Sequence, residues 1–161
     1  MIIIKSIAND PIELDLDTLE KANLECLNLH RALLSCTTLT GASLYKADLR
    51  AAELENSDLS GANLSEASMI GADVNGTNLK AAKLVNSKLI GAKFINANLE
   101  NADLTGADIW NAKFERANLH GAIMLCNRID DADFNGAIFD NNTQWPEGFN
   151  PVGKGAKNIN E

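Results

Sequence analysis

An unbroken five-residue beat runs from Leu14 to Phe139. Every fifth residue is apolar, Leu at most places and Met69, Val74, Phe94, Ile109, Phe114, Met124, Ile129, Phe134 and Phe139 at the rest. None of them is polar, and the residue two places before each is usually Ala, with a few Ser and Thr. Taking the apolar residue of each unit as i, the small one is i−2. Five residues along an α-helix turn a side chain through about 500°, which would scatter the apolar set around the helix. In a straight strand an odd spacing sends successive residues to opposite faces. A bend once per unit brings every i and i−2 side chain to a common axis. The chain is then a solenoid in which each unit is one side and one corner, and each coil rests on the one before.

The aromatic residues argue for four sides. A four-sided coil, about 20 residues at five per unit, stacks Phe94, Phe114 and Phe134 in one core ladder and Leu44, Leu64, Leu84 and Leu104 in another. A three-sided coil scatters the phenylalanines. Gly41, Gly61, Gly71, Gly76, Gly91, Gly106, Gly121 and Gly136 all fall at i+2, which marks that position as a corner needing positive φ or close backbone approach. Cys26, Lys46 and Asn96 at the same position show that the demand is not absolute. Pro11, Pro146 and Pro151 lie outside the array, as expected if the N–H groups inside it bond a neighbouring coil.

Units such as Ala47-Asp48-Leu49, Ala62-Asn63-Leu64, Ala97-Asn98-Leu99, Ala102-Asp103-Leu104, Ala117-Asn118-Leu119 and Ala132-Asp133-Phe134 resemble the A(D/N)Lxx signature of pentapeptide-repeat proteins. The resemblance covers about four fifths of the chain and extends to members from cyanobacteria, whose tails residues 141–151 resemble. It implies an all-β fold, a right-handed quadrilateral β-helix with four flat faces. For function it implies two precedents: members that mimic double-stranded DNA, bind DNA gyrase and confer quinolone resistance, and members that act in cyanobacterial differentiation.

The chain divides into an N-terminal cap (1–13), the β-helix (14–141) and a C-terminal cap with a mobile tail (142–161). Solenoid ends expose an apolar axis and unpaired backbone groups, so both need covers. The start, rich in isoleucine, is expected to lie as a strand or turn over the first coil, and it lacks the basic n-region and cleavage site of a signal peptide. Asp17 and Leu27 at i−2 predict an irregular first coil. At the other end Trp145 or Phe149 is expected to plug the axis, with Pro146 stopping further pairing. No stretch approaches the roughly 18 apolar residues of a membrane span. Cys26, Cys36 and Cys126 count to i+2 on outer corners, too scattered to bridge, and read as surface thiols of a protein in the reducing cytoplasm. His30 and His120 fall at i+1 on opposite faces, where solvated side chains are expected and no metal cluster forms.

Function can be written only on the outward positions. Between Asp73 and Glu100 there is no acid, and Lys80, Lys83, Lys88 and Lys93 form a basic girdle on four faces of an otherwise acidic rod of net charge −8. Such lysines read first as solvated groups that limit self-repulsion. A second pattern is the stacked outward column Ile70, Ile90 and Trp110, flanked by Asp48 and Asp108 with Lys88 between. It is either a shield for the ladder beneath or a contiguous interface patch. No Ser-His-Asp set, phosphate loop or metal cluster appears, no cofactor is called for, and an enzyme is not expected. The favoured function is a non-catalytic interaction module that presents flat acidic faces to a protein partner, with weak self-association through the Ile70/Ile90/Trp110 face. The acidic balance disfavours direct contact with nucleic acid or anionic membrane. The alternative is a DNA mimic that binds gyrase. Its rod length of roughly 31 Å suits this, but duplex DNA carries about 18 charges over that length.

Overall fold

The computed structural model describes residues 1–160. Parallel backbone bridges join each rung residue to its counterpart four units on, without a slip, from Asn23↔Ser43 to Asp103↔Ile123. A coil is therefore four units long, and the molecule is a right-handed quadrilateral β-helix, as the family resemblance implies.

Each unit places its backbone groups in turn. The N–H of Leu44 donates to Asn63 O in the next coil (2.7 Å) and that of Asn63 to Ala42 O in the previous one (2.9 Å). The corner closes with Ala47 N–H donating to Leu44 O (3.0 Å). All four walls repeat this scheme along most of their length, and it explains the short side and tight corner. The third corner residue, i+2, has positive φ whether or not it is glycine: Gly91 at 63°, Ala81 at 55° and Asn86 at 55°. Positive φ at this position alone, with an i to i+3 hydrogen bond, is the type II pattern.

The N–H at i+1 points outward and needs another acceptor. An Asp or Asn at i−1 supplies one: Ser65 N–H donates to Asn63 Oδ1 (3.1 Å), Ser60 N–H to Asp58 Oδ1 (2.9 Å) and Thr105 N–H to Asp103 Oδ1 (2.9 Å). This is the physical reason for D or N in the repeat, since a short side-chain acceptor reaches the second residue on and stabilises the corner.

The axis is filled. Leu44, Leu64, Leu84 and Leu104 form one fully buried ladder, and Phe94, Phe114 and Phe134 form another. The phenylalanine rings stack at 4.9 and 5.2 Å with 8° between planes. Hydroxyls at inward small sites are neutralised locally: Ser57 and Thr77 both donate to Leu54 O, at 2.6 and 2.7 Å, and Ser87 donates to Leu84 O at 2.7 Å.

Strands β1 (Ile2–Ile4) and β2 (Ile12–Leu14) form an antiparallel hairpin that leads into the first coil, and Ile4 is buried against the core. Ser6 continues the cover by bridging Ala32. Asp17 turns out to solvent, so the first coil is irregular and no carboxylate is desolvated there. At the other end Trp145 and Phe149 both close the axis: Trp145 meets Phe134 and Phe139 edge-on, each at 5.5 Å, and Phe149 meets Phe134 at 5.8 Å.

Two expectations are corrected here. The closing residues are not a free tail. After a 3₁₀ turn at Val152–Lys154, β4 (Lys157–Asn158) pairs in parallel with β3 (Ile138–Phe139), and Ala156 is buried as an inward small residue. Pro146 and Pro151 precede this rung and do not end pairing. Cys126 is also not a corner thiol. Asp108 bridges Asn127 and not Arg128, so this coil is one residue short. The slip moves Cys126 to the inward small site, where it is buried and its thiol donates to Leu104 O at 3.4 Å. Burial, with a smaller effect of Asp103, pushes that thiol up to about 12. Cys26 and Cys36 are exposed.

Candidate functional site

The walls are flat. One of them carries the column Ile70, Ile90 and Trp110 at i+1, beside the ladder Asp48↔Ser68↔Lys88↔Asp108 at i−1. Trp110 is 45% exposed and Ile70 36%, while Ile90 is half-buried between them. The adjacent corners are Gly71, Gly91 and Asn111. A Cβ added at Gly71 or Gly91 would meet no atom within 4 Å, so the column borders a smooth, open edge.

Below and above the column the same ladder supplies Asx acceptors to the outward N–H groups. Asp48 accepts from Arg50 N–H (3.2 Å) and Asp108 from Trp110 N–H (3.4 Å). Ser68 and Lys88 stand at the two intervening places, and the N–H groups of Ile70 and Ile90 have no acceptor among the described residues. Apolar side chains and free donors therefore alternate over the middle of the wall.

Arg128 completes the site and escapes a reading of the sequence. Counted by fives it is an i−1 residue. The one-residue slip instead leaves it as an extra residue on the wall, between the rung residue Asn127 and the inward Ile129, with φ of 54°, and its guanidinium lies 5.5 Å from the Trp110 ring centre. Its Nε also donates to Asp108 Oδ1 (2.7 Å) and its terminal nitrogen to Asp108 Oδ2. Arg128, followed by the Trp110 N–H, holds the Asp108 carboxyl below the usual range. Asn127, at a place where the beat calls for Ala or Ser, is the available signal. The slip thus falls on the wall that bears the apolar column, and it fixes the large aromatic ring by a cation–π contact. Lys88 is exposed within the ladder, one rung from Asp108.

Two of the four lysines of the girdle are paired. Lys80 pairs with Glu100 at 3.0 Å and Lys93 with Asp73 at 3.1 Å, each partner one coil away. Lys83 lies between Asn63 and Asp103 in its ladder. His30 and His120 lie on opposite walls, as counted, but the Nε2 of His120 is shielded from solvent and has no partner among the described residues. No cluster of three His, Cys, Asp or Glu placed to hold a metal occurs among the described residues. No helix is long and apolar enough to cross a membrane. The axis is packed with buried side chains, and the solenoid presents its outward residues as protein surface on four walls.

The family model for pentapeptide repeats, eight copies, matches residues 18–50, 42–80, 82–121 and 108–141. The chain belongs to the pentapeptide-repeat family. None of the curated proteins compared with it matches. Among solved structures it is similar to HetL, a pentapeptide repeat protein involved in heterocyst differentiation regulation in the cyanobacterium Nostoc sp. strain PCC 7120. The identity is 30%, the TM-score 0.64, and the match covers 80% of this chain and 70% of HetL. It also resembles QnrB1, a plasmid-mediated fluoroquinolone resistance protein, at 16% identity and a TM-score of 0.58 over 92% of this chain and 88% of QnrB1. That second likeness is one of fold.

Proposed function

We propose that this solenoid is a non-catalytic interaction module whose wall centred on Ile70, Ile90 and Trp110 binds a protein partner. The observation that carries this reading is the Trp110 ring, exposed yet fixed by Arg128 and Asp108, at the end of an aligned apolar column. Tryptophan and arginine dominate binding energy where they are held rigid at an interface, because little side-chain entropy remains to be lost. The free N–H groups of Ile70 and Ile90 suit a partner that offers carbonyl or carboxylate acceptors. HetL is described as a protein involved in regulation, and regulation by binding is compatible with a flat wall of this kind. The exposed Cys26 and Cys36 fit a cytoplasmic site of action.

The DNA-mimic alternative has less support. The net charge is −8, and Lys80 and Lys93 sit in ion pairs that dilute the acidic field at mid-rod. A supercoiling assay tests it directly: the proposal expects neither inhibition nor protection of gyrase. Affinity capture from the native cell, comparing the natural chain with Trp110→Ala and with Asn98→Ala on another wall, tests the interaction reading. Loss of a specific protein with Trp110→Ala alone is expected, and an unchanged set with both variants would contradict it.

A further inference from the structure

Along the interaction wall the outward i+1 column reads Arg50, Ile70, Ile90, Trp110 and, at the 3₁₀ turn beyond the slip, Asp130. Arg50, paired with Asp48, thus stands at one end of the apolar stretch, and Asp130 stands at the other, where Arg128 also lies but is paired with Asp108. Arg50 and Asp130 are both exposed at the surface. Arg50 is held by Asp48 at 2.6 Å, and Asp130 meets Lys154 at 3.8 Å; both pairs lie open to solvent and can be shared with an incoming group.

This order is self-complementary in one orientation. Two such walls placed face to face by a two-fold axis at Ile90, perpendicular to the solenoid axis, run antiparallel. Ile90 then meets its own copy, Ile70 meets the second copy's Trp110, and Arg50 meets the second copy's Asp130. All contacts occur twice, as an isologous interface requires. The parallel arrangement fails on charge, since it sets Arg50 against Arg50 and Asp130 against Asp130. The spacing also fits, because Arg50 and Asp130 lie two coils, or about 10 Å, on either side of Ile90. The bare corners at Gly71 and Gly91 let the two backbones approach. Lys88 is the one like-charge meeting at the two-fold, and Asp108 lies one rung from it in the same ladder.

We propose that the occupant of the Ile70/Ile90/Trp110 wall is a second copy of this chain, docked antiparallel. The proposal rests on the reading of that wall as an interaction surface and adds the identity and orientation of the partner. The apolar contribution comes from three side chains per copy, so association is reversible and concentration-dependent.

Sedimentation equilibrium on the full chain, up to about 0.5 mM, tests it, with melting followed by circular dichroism to confirm that each variant folds. A monomer–dimer equilibrium is expected for the natural chain, and Trp110→Ala should raise Kd at least about tenfold. Arg50→Asp and Asp130→Arg should each raise Kd alone. Mixing those two variants should restore a heterodimer, because one chain then carries Asp at both places and the other Arg at both, so every cation faces an anion again. A natural chain that stays monomeric throughout would overturn the proposal, as would a dimer indifferent to Trp110→Ala or single variants whose mixture does not associate. If the chain is monomeric yet loses a captured protein with Trp110→Ala, the second-copy inference fails while the interaction reading stands.

Discussion

The corner residue i+2 is where individual side chains matter most. Many non-glycine residues adopt positive φ there, each in a conformation that costs an L-residue about 1 kcal/mol or more. Ala81 has φ of 55° and is exposed, so removing its methyl group relieves strain and loses little packing. Ala81→Gly is expected to stabilise the protein by about 0.5–1 kcal/mol after the entropic cost of glycine, measured by urea unfolding. A destabilised variant would show that the corner is not strained. The opposite holds at Gly106, where the Asn86 side-chain oxygen occupies the place of a Cβ and φ is 71°. Gly106→Ala should cost about 1–3 kcal/mol. The cysteines give a separate check, since Cys126 is buried with its thiol pushed up to about 12 while Cys26 and Cys36 are exposed. A thiol reagent should label two cysteines per folded chain at pH 8 and the third only on unfolding. Labelling of all three in the native state would mean that the slip does not bury Cys126.

At the scale of a wall, side-chain ladders reinforce the backbone rungs. Asn118, Asn98 and Asn78 pass amide donors down one wall, at 3.1, 3.2 and 3.1 Å, to the carboxylate of Asp58. Each oxygen also accepts an outward N–H, so Asn98→Ala removes two ladder bonds and leaves the Glu100 N–H unserved. A loss of about 1–3 kcal/mol is expected, and less for Asn98→Asp, which keeps the acceptor. The Ser60 N–H and hydroxyl, with Asn78 among the other donors, hold the Asp58 carboxyl below its ordinary value. A depressed folded value means this contribution is complete above the unfolded pKa of about 4 and is lost as pH falls through the folded value. The melting temperature should therefore drop below about pH 4, and Asp58→Asn should reduce that drop; an unchanged acid dependence would remove Asp58 from the cause. Much of the solenoid is legible in the sequence. The beat predicts the coil, the filled axis, the glycine corners and the stacked Ile70, Ile90 and Trp110, because inward packing tolerates few residue types. What it does not reveal is set by a single omitted residue near Cys126. A count by fives cannot register a slip that Ile129 then repairs, so it places Cys126 outside and overlooks Arg128. The tail escapes for a related reason: Lys157 and Asn158 form a rung through backbone pairing that needs no apolar i residue.

As a whole the molecule is a stack in which each coil couples to its neighbours, so damage should depend on position. Leu89 is fully buried at mid-rod, whereas Leu19 lies in the irregular first coil. Leu89→Asp should abolish cooperative melting and Leu19→Asp should leave most of the β signal, followed by circular dichroism. Equal effects would contradict a one-dimensional stack. The same geometry fixes which wall a residue occupies: each unit is a quarter turn, and alignment returns at every fourth unit. The most direct test is to delete one unit, residues 96–100, and join Ile95 to Asn101, which keeps every later i residue inward but rotates it by one wall. The account predicts a chain that retains its β signature and a cooperative, weaker melt, with Trp110 carried off the wall of Ile70 and Ile90 and the association that depends on the three residues lost. A deletion variant that fails to form β structure, or that associates as the natural chain does, would contradict it.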